Sequence, residues 1–273
     1  MKRLALRMLA ASTLFLTVAG TASAHRAWLL PSSFTLSGDE QWVTVDAAIS
    51  NDLFFPNHHG MDTASITVTA PDGSTVEVEN AANGEIRSML DFKATQQGTY
   101  RIATGGGEPF YFASWEENGE RKRWRGSLAD MRAEGIDKKP DVQVSQSSRS
   151  VETFVTLGAP STDVFAPTGK GLEFQPVTHP NDVFTGEPVS FKLLLDGKPA
   201  SGLEVEILPG NDRYRDTPSV IKATTNAEGV FTFTPELPGP YWFTTGSEGD
   251  TVVEGMPMKV RSSYTATFEA LPL

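Results

Sequence analysis

The chain has 273 residues, 39% apolar and 21% charged, with a net charge of −11; this is too apolar for a disordered chain and suits one large or two ordinary domains. So acidic a surface does not hold nucleic acid or anionic lipid unless cations gather in one place. Cysteine is absent, which excludes a disulfide framework, thiolate metal sites and a cysteine-anchored lipoprotein.

The first segment is a leader. Lys2, Arg3 and Arg7 precede or flank the start of an uncharged apolar run from Leu9 to Gly20, and Ala22-Ser23-Ala24 supplies the small residues of a cleavage site. Residues 1–24 therefore read as a signal peptide, cut after Ala24. Arg3 is followed by Leu4 rather than a second arginine, which points to the general secretory route. Cleavage removes three basic residues and no acid, taking the charge from −11 to −14. No later apolar run approaches the length of a membrane span. The expected product is a soluble protein of a Gram-negative periplasm, without direct membrane anchoring.

Cleavage there makes His25 the first mature residue. A free α-amine titrates near pH 7.7–8.0, far below a lysine. Amine and ring Nδ1 of one histidine then make a chelate for a metal ion at neutral pH.

Strand patterns follow. Trp28-Leu29-Leu30-Pro31 ends in a proline, as an edge strand does, and Trp42 to Ala47 alternates like a half-buried strand. Asn51 to Gly60 is a loop carrying His58 and His59, its Phe54-Phe55 pair expected to tuck inward and its histidines outward. Ser65–Ala70 and Thr75–Glu79 form a hairpin around the Asp72-Gly73 turn. Gly98-Thr99-Tyr100 before a strand is a pattern by which a tyrosine closes one end of a sandwich core.

Residues 115–141 break the style. The stretch Trp115 to Arg125 is dense in charge, and Ser127 caps a short helix running to Glu134. Its basic cluster is expected to be a solvated hairpin, with Trp115 and Trp124 pairing across strands, rather than a nucleic-acid site. Alternation resumes from Val142 to Leu157. Gly- and Pro-rich stretches at 158–162 and 167–171 mark a domain junction. About seven strands then follow, separated by turns such as Asp196-Gly197-Lys198-Pro199 and Asn226-Ala227-Glu228-Gly229. The prediction is an all-β protein of two immunoglobulin- or fibronectin-like sandwiches, one over 25–160 with a charged insertion at 115–141, the other over 168–273.

There are four histidines: His25, His58, His59 and His179, the last held extended by Pro180. Imidazole suits nickel, cobalt, copper and zinc alike, so the ion itself is not legible. The expected site is His25 with His58 or His59, and His179 if the second domain reaches the N-terminus. Met61, Met256 and Met258 are thioether donors in principle, though methionine more commonly fills gaps in cores. Nucleophilic catalysis lacks its usual carriers: no cysteine, no Gly-x-Ser-x-Gly and no phosphate loop.

His-Arg-Ala-Trp-Leu-Leu-Pro-Ser from His25, Thr168-Gly169-Lys170-Gly171-Leu172-Glu173-Phe174, Thr178-His179-Pro180-Asn181-Asp182, Asp196-Gly197-Lys198-Pro199 and Thr225-Asn226-Ala227-Glu228-Gly229 together resemble a widespread bacterial periplasmic family. Its biochemistry is undetermined, and it often carries the label of periplasmic component of an ABC-type cobalt or nickel transport system. The resemblance spans nearly all of the mature chain. It implies metal handling and a membrane transporter as partner, and matches His25 and His179 more firmly than His58 and His59. Two rival readings come from the residues. One is a histidine-brace copper oxygenase, since an N-terminal histidine plus a second histidine on a sandwich also describes that class. The other is a metal-free interaction module.

Overall fold

The computed structural model describes residues 25–105, 109–211 and 219–273; the expected signal peptide lies outside them. The first half holds β1 (Arg26–Pro31), β2 (Thr35–Leu36), β3 (Gln41–Ser50), β4 (His59–Gly60), β5 (Ile66–Thr69), β6 (Thr75–Val76), β7 (Glu79–Ala82), β8 (Ser88–Ala94) and β9 (Gly98–Thr104). Then come β10 (Phe110–Glu117), β11 (Glu120–Gly126), the helix α1 (Leu128–Ala133) and β12 (Gln143–Leu157). The second half holds β13 (Leu172–Pro176), β14 (Val189–Leu195), β15 (Lys198–Pro199), β16 (Glu204–Pro209), β17 (Ile221–Thr224), β18 (Val230–Phe233), β19 (Gly239–Val253) and β20 (Met256–Ala270).

The architecture is an all-β sandwich with a core in each half. In the first, the sheet ordered β1-β3-β8-β7 packs on β12-β9-β5-β6, enclosing Leu29, Val45, Phe92, Tyr100, Ile102 and Val155. The second encloses Phe174, Phe191, Phe231, Phe243, Tyr264 and Phe268. Burying apolar side chains on alternating strand positions drives both, mainly aliphatic in the first and aromatic in the second. The halves share one sheet: β12 runs parallel to β20, from Ser145 opposite Lys259 to Thr153 opposite Thr267. The sequence offers a Gly- and Pro-rich junction; the fold adds a seam of hydrogen bonds beside it. The junction residues Val164 and Phe165 themselves belong to the second core.

Both cores are closed by the same device. Tyr100 accepts from the Thr95 and Gln96 amides at 2.9 and 2.7 Å and donates to the Gln96 carbonyl. Tyr241 accepts from the Leu237 amide at 3.2 Å and donates to its carbonyl at 3.0 Å. A phenol reaching back to its own loop satisfies polar groups that the corner leaves unpaired. The second corner, at Gly239-Pro240-Tyr241, repeats the Gly-x-Tyr spacing of the first.

The hairpin at Asp72-Gly73 forms, but its second strand stops at Val76 and the chain crosses to the other sheet, where Glu79 and Ala82 pair with β8. The charged insertion is a hairpin whose Asn118 and Gly119 both take positive φ, 55° and 76°, a two-residue turn that fixes register. That register sets Trp115 opposite Lys122 and Trp124 opposite Ala113. The two tryptophans therefore face each other diagonally across the strands, on the same face of the hairpin. Ser127 caps α1 through a capping box with Asp130, as anticipated. The helix lays Met131 over Tyr111, Ala113, Trp115 and Met258, a third small core.

Candidate functional site

Three of the four histidines meet at one end of the first sandwich. His25 precedes β1, and β1 is antiparallel to β3, so Arg26 lies opposite Ser50. The loop leaving β3 therefore starts beside the histidine and returns through β4, where His59 pairs with Ile49. Sequence separation of more than thirty residues is closed by two strand pairings. The His25 and His58 rings stack at 3.8 Å between centroids with 17° between planes. His59 lies 5.0 Å from His58. All three side chains are exposed.

The loop beneath them is held by a polar frame. Asn57 accepts from the Asn51 amide at 2.8 Å and donates to the Asp52 carboxylate at 2.7 Å, while the Arg26 guanidinium donates to the Asn51 carbonyl at 2.6 Å. The buried Trp28 indole donates to Ser50 Oγ, which in turn donates to the Asp52 carbonyl. Phe54 turns inward as expected, meeting Trp28 edge-on at 5.6 Å, and takes φ of 58° to do so, a conformation a bulky residue adopts at a cost. After the histidines, a Cβ at Gly60 would come within 2.5 Å of the Gly84 carbonyl oxygen and 2.6 Å of Ser88 Oγ. Only glycine fits that approach, so the pair's exit is fixed.

The second half supplies the floor. Leu208 and Trp242 pack with Trp28, Ala48 and Leu53, and the Trp242 indole donates to the Ala27 carbonyl at 2.9 Å. Asn51, Asn57, Asp52 and Trp242 had no signal in the sequence, since ordinary polar and aromatic residues acquire this role only once register brings them together.

Electrostatics favour the neutral form of His58. Desolvation first, then the neighbouring His25 and His59 rings, hold the His58 pKa below the ordinary histidine value. His59 Nδ1 donates to the Gly60 carbonyl at 2.7 Å, which fixes the tautomer that leaves Nε2 with its lone pair. The stacked rings do not converge their nitrogens, and among the described residues no group of three or more His, Asp or Glu stands ready to hold a metal ion. Exposed side chains change rotamer in picoseconds to nanoseconds, so the stacked arrangement is not a locked one.

His179 is placed elsewhere. Its Nδ1 accepts from the Asn181 amide at 3.1 Å, and its Nε2 lies 3.1 Å from the Ser161 carbonyl and 3.0 Å from Thr99 Oγ1. Neighbouring Asn181 bonds the Phe34 and Phe154 carbonyls. This cluster lies past the far end of β1 from His25, and β1 alone spans about 16 Å at ~3.3 Å per residue. Both ring nitrogens are occupied, and no hydrogen bond or ring contact joins His179 to the other three. Burial lowers its pKa, offset in part by the Ser161 carbonyl and Asp182. The methionines are likewise committed: Met258 is buried in the third core with Met256 against it, and Met61 packs on the first.

The family pattern named Domain of unknown function (DUF4198) matches residues 22–249. The chain belongs to the DUF4198 family. No curated protein matches it. Similar solved structures include the D0-D1 domain of Intimin, at 12% identity over 88% of this chain and 96% of that one, TM-score 0.21. Trypsin-activated alpha-2-macroglobulin from Escherichia coli is 11% identical over 89% of this chain and 16% of that one, TM-score 0.23. BcpA, the major pilin subunit of Bacillus cereus, is 10% identical over 90% and 67%, TM-score 0.20. Likenesses this distant carry no functional argument, and the sandwich description of this DUF4198 member rests on its own strands. Among its described residues no helix is long and apolar enough to cross a membrane.

Proposed function

We propose that this protein binds a divalent transition ion in the periplasm, Ni(II), Co(II), Cu(II) or Zn(II), and hands it to an uptake system in the membrane. The observation that carries the reading is the His25–His58 stack at 3.8 Å with His59 beside it, at the residue where a signal peptidase would create a free amine. In the mature chain the His25 amine and imidazole form the chelate, and His58 or His59 completes the set. His179 is left out of this set, because binding there would break its bonds to Asn181 and Ser161. The resemblance to a cobalt and nickel transport label supports uptake over storage.

The test is calorimetry on mature protein beginning at His25, its N-terminus verified by intact mass, against a form with one alanine added before His25. The addition displaces the amine and keeps every side chain. Affinity falling by at least about tenfold, 1.4 kcal/mol, supports the chelate; equal affinity rules it out. Binding should also weaken as pH drops, because both ligand groups must shed protons. A metal-free interaction module is the second reading, favoured by the lack of a converged ligand group among the described residues; a melting temperature indifferent to all four metals selects it. Oxidation of polysaccharide by the copper-loaded protein with ascorbate would instead select the histidine-brace oxygenase.

A further inference from the structure

The charged insertion builds a surface that the histidine site does not use. β11, β10, the first half of β12, and the Met256-end of β20 with its partner β19 lie side by side in one sheet. One face of this arm is covered by α1 and the third core. The other is open. Alternation puts Arg121, Arg123 and Arg125 on that open face, opposite Glu116, Ser114 and Phe112. The register continues through Ser145 to Lys259, and through Ser147 to Arg261. Arg149, two residues beyond Ser147, shares the face.

So six cations converge in a protein whose net charge is −11. The carboxylates facing them sit at the margins. Asp250 pairs with Lys259 at 2.7 Å and Glu248 with Arg261 at 2.9 Å, while Glu116 and Asp141 border the opposite edge beside Arg121. Arg121 donates to Ser114 Oγ. Among the described residues, Arg123, Arg125 and Arg149 have no carboxylate partner, and all three are exposed. Two open depressions, about 430 and 370 Å³, flank Phe112 on this face and are lined by these arginines.

Spacing and chemistry select the ligand. Alternate residues of β11 are about 6.7 Å apart along an edge strand, so its three arginines rise from one strand in a row suited to an extended polyanion. The aromatic rings here are engaged by a cation: the Arg125 guanidinium sits over one face of Phe110 at 4.5 Å and lies 5.7 Å from the centre of Phe112. Single-strand nucleic-acid grooves stack successive bases on aromatic faces left open for them. What remains between the arginines is hydroxyl and amide: Ser114, Gln143, Ser145 and Ser147. Arginine forks matched to carboxylates, interleaved with groups that bond hydroxyls, are the complement of a sugar acid chain. The overall negative charge does not prevent this, because charges beyond about 8 Å are screened at physiological salt.

We propose that the open face of this arm binds an acidic polysaccharide of the uronic-acid type, with Arg121, Arg123, Arg125 and Arg149 gripping its carboxylates. The test is affinity electrophoresis of the full mature chain through gels containing polygalacturonate, neutral dextran or a single-stranded oligonucleotide, with Arg123→Ser/Arg149→Ser beside the parent. Both positions are exposed, and an unchanged melting temperature confirms that the variant folds. The expected result is retardation by polygalacturonate alone, weakened at least about tenfold in the variant and by raising salt toward about 1 M. No retardation by polygalacturonate, equal retardation of the variant, or stronger retardation by the oligonucleotide would overturn it. So would sedimentation showing a parent dimer that the variant converts to monomer, since the occupant would then be a second copy of the chain.

Discussion

The loop at His58-His59 and the turn at His179 use the same side chain in opposite ways. At the first, imidazoles stand exposed on a braced backbone, with the loop's hydrogen bonds made by Asn57, Asp52 and Ser50 beneath them. At the second, the imidazole is itself the brace: both nitrogens are spent on Asn181, Ser161 and Thr99, tying the second half to strands of the first. A ring whose lone pair is committed to the fold cannot be given to an ion without unfolding something. Proximity to a motif therefore says less about a histidine than what its two nitrogens already hold.

Four experiments press on that contrast. Replacing both loop histidines, His58→Ala/His59→Ala, should lower metal affinity by at least about a hundredfold, 2.7 kcal/mol, while leaving stability in urea within about 0.5 kcal/mol because both are exposed. His179→Ala should do the reverse. Losing its bonds strands the Asn181 amide and Ser161 carbonyl, so unfolding free energy should fall by about 2 kcal/mol with metal affinity unmoved. An outcome in which His179→Ala also abolishes binding would erase the distinction.

Trp242→Phe comes next. It removes the indole bond to the Ala27 carbonyl across the two halves and keeps the ring packing, for an expected loss of about 1 kcal/mol, read from urea midpoints. The smallest effect is in pH. Because burial lowers the folded pKa of His179, the unfolded chain takes up a proton first as pH drops below about 6.5. The stability that neutral His179 contributes is present above that pH and is lost as pH falls toward its folded pKa. His179→Gln should flatten this slope relative to the parent, and an unchanged slope would assign it to other groups.

Alternation, turn chemistry and capping made much of the fold legible. The edge strand at Trp28–Pro31, the Asp72-Gly73 turn, the Tyr100 corner and the helix capped at Ser127 are local features, each decided by residues within a few positions. The length of β19 and β20 was not legible. The expected strands Tyr241–Thr244 and Tyr264–Phe268 are the buried centres of ribbons running to Val253 and from Met256, whose outer parts are too polar to read as strands because one of their faces is in water. The diagonal placement of Trp115 and Trp124 also needed register, which a pattern of residue types does not specify.

By itself the sequence determined the β character, the leader-like pattern ahead of His25, the absence of cysteine and the count of four histidines, because these depend on composition and on neighbours along the chain. Tertiary structure decided which histidines meet. It also decided that cations distributed over β11, β12 and β20 share one open face of a protein whose bulk charge argued against any polyanion. The physical reason is the same in both cases. Strand pairing fixes which residues are neighbours across a hundred residues of chain, whereas composition and net charge are sums that carry no positions at all.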